Sequence, residues 1–462
     1  MSEQLIISVS GMRGVVGDSL TCFVAGEYAC AFGTFLKEVQ GFKEGETNQG
    51  RLVVCVGRDT RLSGEMLKSA VIAGLTASGI DVIDLGVVTT PGVGIMVKQL
   101  NCAGGVVVTA SHNPVQYNGV KLLLDNGAAI SADKAEQVKQ YFLDKRFRFV
   151  GSVSCGKITF NESTDAVHIN RVMAIVDKQR IAEKKFKVAL DSVNGAGGRV
   201  TKKLLGLLGC EIYAVNDAPT GLFARNPEPT AENLASFCEV VKAKAVDIGF
   251  AQDADADRVA IIDENGNYIG EEYTLVLVAK YIFSKKTGKV AVNLSTSRMI
   301  DDIAKGAGGQ VIRTAVGEAN VAEACIQHNC IIGGEGNGGV IDLRVSPVRD
   351  SLVGIALVLE LMAETGKTVS QLVSEIGSYY MRKDKFPASE GQVKRILERA
   401  KKVFEGARVD TTDGYRFDFD DGWLHLRASN TEPVMRVVVE AKDKPVAEKY
   451  MNIVLDIGKE IL

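Results

Sequence analysis

Gly104-Gly-Val-Val-Val-Thr-Ala-Ser-His-Asn-Pro114 is a short apolar run that opens into a polar loop closed by proline. An apolar run without polar alternation marks a strand covered on both faces, as in largely parallel sheets flanked by helices. Upstream, Leu52-Val-Val-Cys-Val56 and Gly79-Ile-Asp-Val-Ile-Asp-Leu85 supply two more runs of this kind, with a helix-length segment between them. The first of these closes at Gly57-Arg-Asp-Thr-Arg-Leu-Ser-Gly64.

The same plan recurs twice. A second copy starts at Lys187-Val-Ala-Leu190 and turns at Asp191-Ser-Val-Asn-Gly-Ala-Gly-Gly198. It continues through Cys210–Val215 and Val246–Phe250, and ends at Asp253-Ala-Asp-Ala-Asp-Arg258. A third starts at Lys289–Val292, turns at Asn293–Arg298, continues through Gln310–Arg313 and Asn329–Gly333, and ends at Gly334-Glu-Gly-Asn-Gly-Gly339. Ligands of open α/β sheets collect beyond the carboxyl ends of the strands, and the three chemically richest loops all fall there, at the same step of their copies. Residues 374–462 differ: a charged helix near Ser389–Phe404, alternating strands near Tyr415–Asp420, Trp423–Arg427 and Met435–Glu440, and a last helix from Val446 to Gly458. The expected fold is α/β: three tandem mixed-sheet domains of similar topology plus a smaller C-terminal α+β domain around a central cleft. Boundaries are expected at 1–155, 156–258, 259–373 and 374–462.

The chain has 462 residues, enough for about three domains at ~150 residues each, or four small ones. Charge is nearly balanced, with 54 basic against 57 acidic residues. No basic arm stands out, so nucleic acid is not expected as a partner. An anionic substrate must then be gripped by a few focused Arg and Lys side chains. Nine cysteines without a CxxC pair support neither a zinc ribbon nor a disulfide framework and suit thiols in a reducing cytoplasm. The N-terminus has no signal pattern and no long uncharged apolar run follows, so a cytoplasmic protein without a membrane partner is expected, as monomer or homodimer.

Asp253, Asp255 and Asp257 alternate with alanines. Three carboxylates this close repel one another, and their oxygens suit magnesium or calcium, sparse ligation favouring magnesium. The alternative is a solvated acidic turn. Arg258 beside them can anchor substrate or balance charge. Ser111 follows a buried strand; by itself a serine there is more often a turn or helix-cap residue, but once phosphorylated it could complete the metal shell of the Asp cluster. Lys121 is a candidate proton carrier or a phosphate clamp, and His112 can orient, transfer a proton or merely bond its loop. Gly334–Gly339 formally satisfies GxGxxG, yet no helix follows at once; Glu335 and Asn337 offer instead the acceptors and donors that grip sugar hydroxyls. Arg427, Ser429, Asn430 and Thr431 form a donor-rich loop fit for phosphate, and Arg13 is a glycine-flanked arginine near the N-terminus.

Taken together, Thr109–Pro114, Asp253–Arg258, Gly334–Gly339 and Arg427–Pro433 resemble, in order, the phosphoserine, magnesium, sugar and phosphate loops of the α-D-phosphohexomutase superfamily. The resemblance spans essentially the whole chain. It implies a resting enzyme phosphorylated at Ser111 that interconverts hexose 6-phosphate and hexose 1-phosphate through a bound hexose 1,6-bisphosphate. It implies magnesium (Mg2+) on Asp253, Asp255, Asp257 and the phosphoserine, with proton transfer by Lys121 and His112 and Arg13 close to the nucleophile. Glu335 would read the sugar hydroxyls, and Arg427, Ser429, Asn430 and Thr431 would hold the unreacting phosphate.

Two departures mark this chain. Many relatives end the sugar loop in Ser-Gly-His, where it has Asn337-Gly-Gly339, and others carry histidine where it has Glu318. This version resembles an archaeal-like branch named for phosphoglucosamine mutases or combined phosphomannomutase/phosphoglucomutases. Glu318 would suit an amino sugar by pairing with its ammonium, so phosphoglucosamine mutase is the expected activity. The alternatives are a broad phosphomannomutase/phosphoglucomutase, a metal-dependent sugar phosphatase, and a sugar-phosphate-binding protein without catalysis.

Overall fold

The protein, seen here as a computed structural model, is described over residues 5–39, 50–429 and 434–461. Four sheets organise it. In each of the first three, the leading strand lies inside, with the second and third strands parallel to it on either side. In the first sheet these are Val53–Arg58, Asp81–Val87 and Gly104–Val108. In the second they are Lys187–Asp191, Glu211–Val215 and Ile248–Gln252, and in the third Lys289–Asn293, Gln310–Thr314 and Ile332–Glu335. The unbroken apolar runs explain this placement: Val54, Val56, Val188, Leu190, Val290 and Val292 are all fully buried.

A fourth strand, which the apolar runs did not announce, returns antiparallel against the third in every copy: Tyr117–Leu124, Val259–Ile262 and Gly339–Ile341. Each chemical loop is therefore a reversal between neighbouring strands. Such a reversal asks for a left-handed residue, and each loop has one: Ser111 at φ 50°, Ala256 at φ 55° and Gly338 at φ 86°.

Sheet pairing moves the expected boundaries. Ile158–Phe160 joins the first sheet beside Asp81–Val87, and Val259–Ile262 belongs to the second. The boundaries set at 155 and 258 thus each fall one strand short, because a short edge strand or a returning strand carries no loop signal of its own. Helix Val369–Ile376 runs across the third expected boundary, at 373. It sends Val369 and Leu372 into the core of the third sheet.

That core is shared. One apolar cluster runs from Phe250 and Val259 of the second sheet, through helices Glu272–Lys285 and Ser351–Thr365, to Val290 and Ile332 of the third. The first sheet and the C-terminal sheet have separate cores, built around Tyr28, Phe32 and Val54 and around Phe417, Leu424 and Val437. The C-terminal domain is a five-stranded antiparallel sheet backed by helices Glu390–Val403 and Lys444–Ile461. Ser389 and Gln392 cap the first of these helices with a capping box. No helix among the described residues is long and apolar enough to cross a membrane.

Candidate active site

Ser111 lies 2% exposed at the reversal after Gly104–Val108. Its backbone N–H donates to Thr109 Oγ1 at 2.9 Å, and its hydroxyl donates to Asp253 Oδ2, also at 2.9 Å. His112 Nδ1 sits 3.4 Å from the same hydroxyl. The loop is held from behind by two residues that the sequence reading passed over. Arg61, fully buried, donates to the carbonyls of Ser111, Asn113, Pro114 and Tyr117 at 2.7–3.0 Å and pairs with Asp59 at 3.0 Å. Asp59 in turn accepts from Thr109 at 2.7 Å. Both sit in the polar loop after the first strand, and that position was the signal for them. Arg13 reaches the same loop, giving 2.6 Å to Asn113 Oδ1. Burial, with Arg258 and Arg61 nearby, pulls its pKa down to about 10.

Asp253, Asp255 and Asp257 are fully buried, with ligand atoms all within 4.8 Å of one another. Their outer oxygens are engaged. Asp255 Oδ2 accepts from Thr90 at 2.6 Å and pairs with Lys121 at 2.7 Å; Asp257 Oδ2 pairs with Arg349 at 2.6 Å and with Lys121 at 3.4 Å. Asp255 Oδ1 and Asp257 Oδ1 have no hydrogen-bond partner among the described residues. Two orphaned carboxylate oxygens beside a third carboxylate, with every donor an oxygen, fit a hard dication. Burial, then repulsion from Asp257 and Asp255, pushes Asp253 well above the usual carboxylate range. A cation would remove that cost.

Burial would depress Lys121, but Asp255, Asp257 and Glu318 outweigh it and hold its ammonium above the ordinary lysine value. Burial together with Arg258 and Arg13 keeps His112 neutral. Arg258 stands at the edge of the trio, 3.8 Å from Asp257.

The sugar-loop candidates fall on the opposite wall. Glu335 Oε1 accepts from Asn293 at 2.8 Å and from the Gly317 N–H at 3.2 Å; Oε2 pairs with Arg349 at 2.5 Å. Burial alone would raise its pKa, but Arg349 outweighs it and the carboxylate is held ionised. Asn337 leans on Glu335 at 3.5 Å, and its own Oδ1 is buried without a partner among the described residues. Glu318 accepts from the Arg349 backbone N–H at 2.8 Å and lies 3.6 Å from its guanidinium; burial raises its pKa. Gly339 leaves room for that guanidinium: a Cβ there would meet Arg349 Cδ at 2.2 Å. Thr90, Asn293 and Arg349 were also missed by the sequence reading. Arg349 sits outside every glycine-rich loop, one residue before the helix cap Asp350, so nothing local marks it.

In the C-terminal domain Arg427 and Arg436 face each other across neighbouring strands, and Arg436 donates to Ser429 at 3.2 Å. Asn430 and Thr431 lie outside the described residues. The four domains line an open cleft of about 980 Å³ whose walls include Arg13, Ser111, His112, Lys121, Arg258, Glu318, Glu335, Asn337, Arg349, Arg427 and Ser429. Its polar lining, with cations at both ends and carboxylates between, suits a small anion-bearing polyol.

Four family models match in chain order. They are phosphoglucomutase/phosphomannomutase alpha/beta/alpha domain I over residues 4–149, domain II over 166–266, domain III over 270–379 and the C-terminal domain over 385–457. A phosphoglucomutase/phosphomannomutase from Thermococcus kodakarensis is 41% identical over 98% of both chains. A probable phosphoglucosamine mutase from Methanopyrus kandleri is 36% identical over 97% of this chain and 96% of its own. Among solved structures, a phosphoglucomutase/phosphomannomutase family protein from Burkholderia thailandensis superposes with a TM-score of 0.85 at 28% identity, covering 99% of this chain and 98% of its own. Fold and cleft are thus those of a phosphohexomutase. The chain belongs to the phosphoglucomutase/phosphomannomutase family, in the branch that contains these archaeal relatives.

Proposed function

We propose that the protein interconverts hexose 6-phosphate and hexose 1-phosphate through a phosphoserine at Ser111 and a bound hexose 1,6-bisphosphate, with glucosamine phosphate as preferred substrate. The observation that carries this reading is the 2.9 Å hydrogen bond from the Ser111 hydroxyl to Asp253, which joins the nucleophile of one domain to the carboxylate trio of the next. Asp253, Asp255 and Asp257 would hold magnesium, which when bound neutralises the charge of the phosphoryl oxygens.

In the first half-reaction a sugar hydroxyl attacks the phosphorus on Ser111. The new bond joins sugar oxygen to phosphorus, the Oγ–phosphorus bond breaks, and the sugar hydroxyl proton passes by way of neutral His112 to the departing Ser111 Oγ, 3.4 Å from it, with the Lys121 ammonium as the alternative proton donor to Oγ. Arg13 steadies the serine loop through Asn113, and Arg258 meets the reacting phosphate. Glu335 and Asn337 grip the hydroxyls common to both orientations of the sugar, while Arg427 and Ser429, with Asn430 and Thr431, hold the idle phosphate. After the bisphosphate reverses, its other phosphate returns to Ser111. Closure of the cleft around the bound sugar phosphate would keep water from the phosphoserine and slow its hydrolysis.

Charge supports the choice of sugar. Glu318 and Glu335 share one guanidinium, and an ammonium between them would restore balance. The name of the 41% identical relative, phosphoglucomutase/phosphomannomutase, favours a second reading, broad use of glucose and mannose phosphates.

Mass spectrometry of freshly purified protein is expected to find phosphate on Ser111 that exchanges with hexose 1,6-bisphosphate; normal turnover by Ser111→Ala ends the reading. Kinetics on glucosamine, glucose and mannose 1-phosphates choose the sugar. Glu318→Gln is expected to cut the glucosamine preference about tenfold or more, the worth of a charge-assisted contact, and an unchanged preference removes the glucosamine assignment.

A further inference from the structure

We propose that Arg349 is a positioning residue that ties the cation affinity of the carboxylate trio to the binding of the sugar. The inference rests on the reading above, in which Asp257 helps to hold the cation and Glu335 the sugar, and adds a coupling between them.

The guanidinium of Arg349 spans the two sites. One terminal nitrogen lies 2.6 Å from Asp257 Oδ2 and the other 2.5 Å from Glu335 Oε2. A guanidinium is a rigid planar fork, so neither carboxylate can shift without moving the other's donor. The arginine itself has little freedom. It is 5% exposed, Gly339 supplies the space beneath its Cδ, and its neighbour Asp350 caps helix Ser351–Thr365 while meeting His168 Nε2 at 2.7 Å. That helix runs through the apolar core common to the second and third sheets, so the bridge stands on rigid ground.

Its charge is also oversubscribed. Asp257, Glu335 and Glu318 all lie within 3.6 Å of this one guanidinium. Asp257 presents its other oxygen, Oδ1, without a partner among the described residues. A dication arriving at Oδ1 takes over the neutralisation of Asp257, and the guanidinium then serves Glu335 and Glu318 more fully. Glu335 is thereby fixed for the sugar hydroxyls. By linkage the reverse holds equally: a bound sugar tightens the cation. The sign of the coupling is positive.

The test is a calorimetric titration of Mn2+, as probe for the cation, into full-length protein stripped of its serine phosphate, with and without saturating glucosamine 1-phosphate or glucose 1-phosphate. In the wild type the sugar phosphate is expected to tighten Mn2+ about tenfold, within the usual ~5–150-fold range of such couplings. Arg349→Lys, which replaces the rigid planar fork with a flexible point charge, is expected to bring that ratio close to one while each ligand still binds alone. Gly339→Ala, which crowds the arginine without removing its charge, is expected to lower the ratio too, so the idea stays testable if the lysine variant folds poorly. Glu335→Gln, which removes one end of the bridge, should weaken the sugar and likewise bring the ratio close to one. A wild-type ratio of one, or an undiminished ratio in Arg349→Lys, overturns the coupling and leaves the mutase reading standing. Wild-type protein that takes up no Mn2+ overturns both.

Discussion

Arg61 and Arg349 are both buried guanidiniums beside the serine and aspartate loops, yet they act by opposite means. Arg61 directs its donors at four backbone carbonyls of the serine loop and at one carboxylate, Asp59, two residues away. Arg349 directs its donors at three carboxylates, Asp257 of the aspartate loop and the cleft-lining Glu318 and Glu335. Carbonyls fix shape and carry no net charge; carboxylates can hand their neutralisation to another cation. Arg61 thus acts as scaffold, whereas Arg349 holds a charge that a ligand can take over. The contrast matches the cores: the serine loop belongs to a domain with its own apolar cluster, while Arg349 directly precedes the helix Ser351–Thr365, which lies in the cluster shared by the second and third sheets.

The largest effect is expected from Arg61→Met. It strands Asp59 as an uncompensated buried charge and leaves four carbonyls without their donor, a loss of about 3–5 kcal/mol. Hydrogen exchange should localise the opening to residues 109–117, and added magnesium should not restore protection. Arg349→Met is expected to cost a similar amount in chelator, but millimolar magnesium should recover about 1–2 kcal/mol of it by binding the folded state. Equal magnesium responses in the two variants would erase the distinction drawn between them.

The smallest effect concerns a carboxylate with no arginine at all. Glu272 is buried against Gly336, its Oε1 has no hydrogen bond among the described residues and lies 3.8 Å from Lys383, and its pKa is pushed up to about 8 by burial. Its folded pKa lies above the unfolded value of about 4.5, so the folded state binds the extra proton. The stability it confers is full below pH ~4.5 and is lost as pH rises through about 8. Glu272→Gln should therefore match the wild type near pH 5 and exceed it in chemical denaturation near pH 9; a constant difference across that range would show that Glu272 is ionised throughout.

Much of this site was legible because its loops are contiguous. The alternating aspartates, the serine after a buried strand and the glycine-rich Gly334–Gly339 each announce themselves within ten residues or so. What escaped was whatever only tertiary pairing defines. Arg349 meets Asp257 across 92 positions, and Thr90 meets Asp255 across 165. The returning strands were invisible for a related reason: Val259–Ile262 and Gly339–Ile341 carry the same apolar residues as any buried run, and direction is not written in composition. Nor could periodicity show that the second and third sheets share a core, since a helix such as Ser351–Thr365, apolar nearly all round, says that it is covered without saying by what.

Ser111 occupies the left-handed region at φ 50°, and that has a consequence for which alcohol can stand there. Threonine offers the same hydroxyl but branches at Cβ, and branched side chains are the ones that such a backbone rejects most strongly. The turn that aims the oxygen at Asp253 therefore selects between the two aliphatic alcohols of the genetic code on steric grounds, before nucleophilicity is ever tested. A lineage wishing to carry its phosphoryl group on threonine would have to redraw the hairpin first.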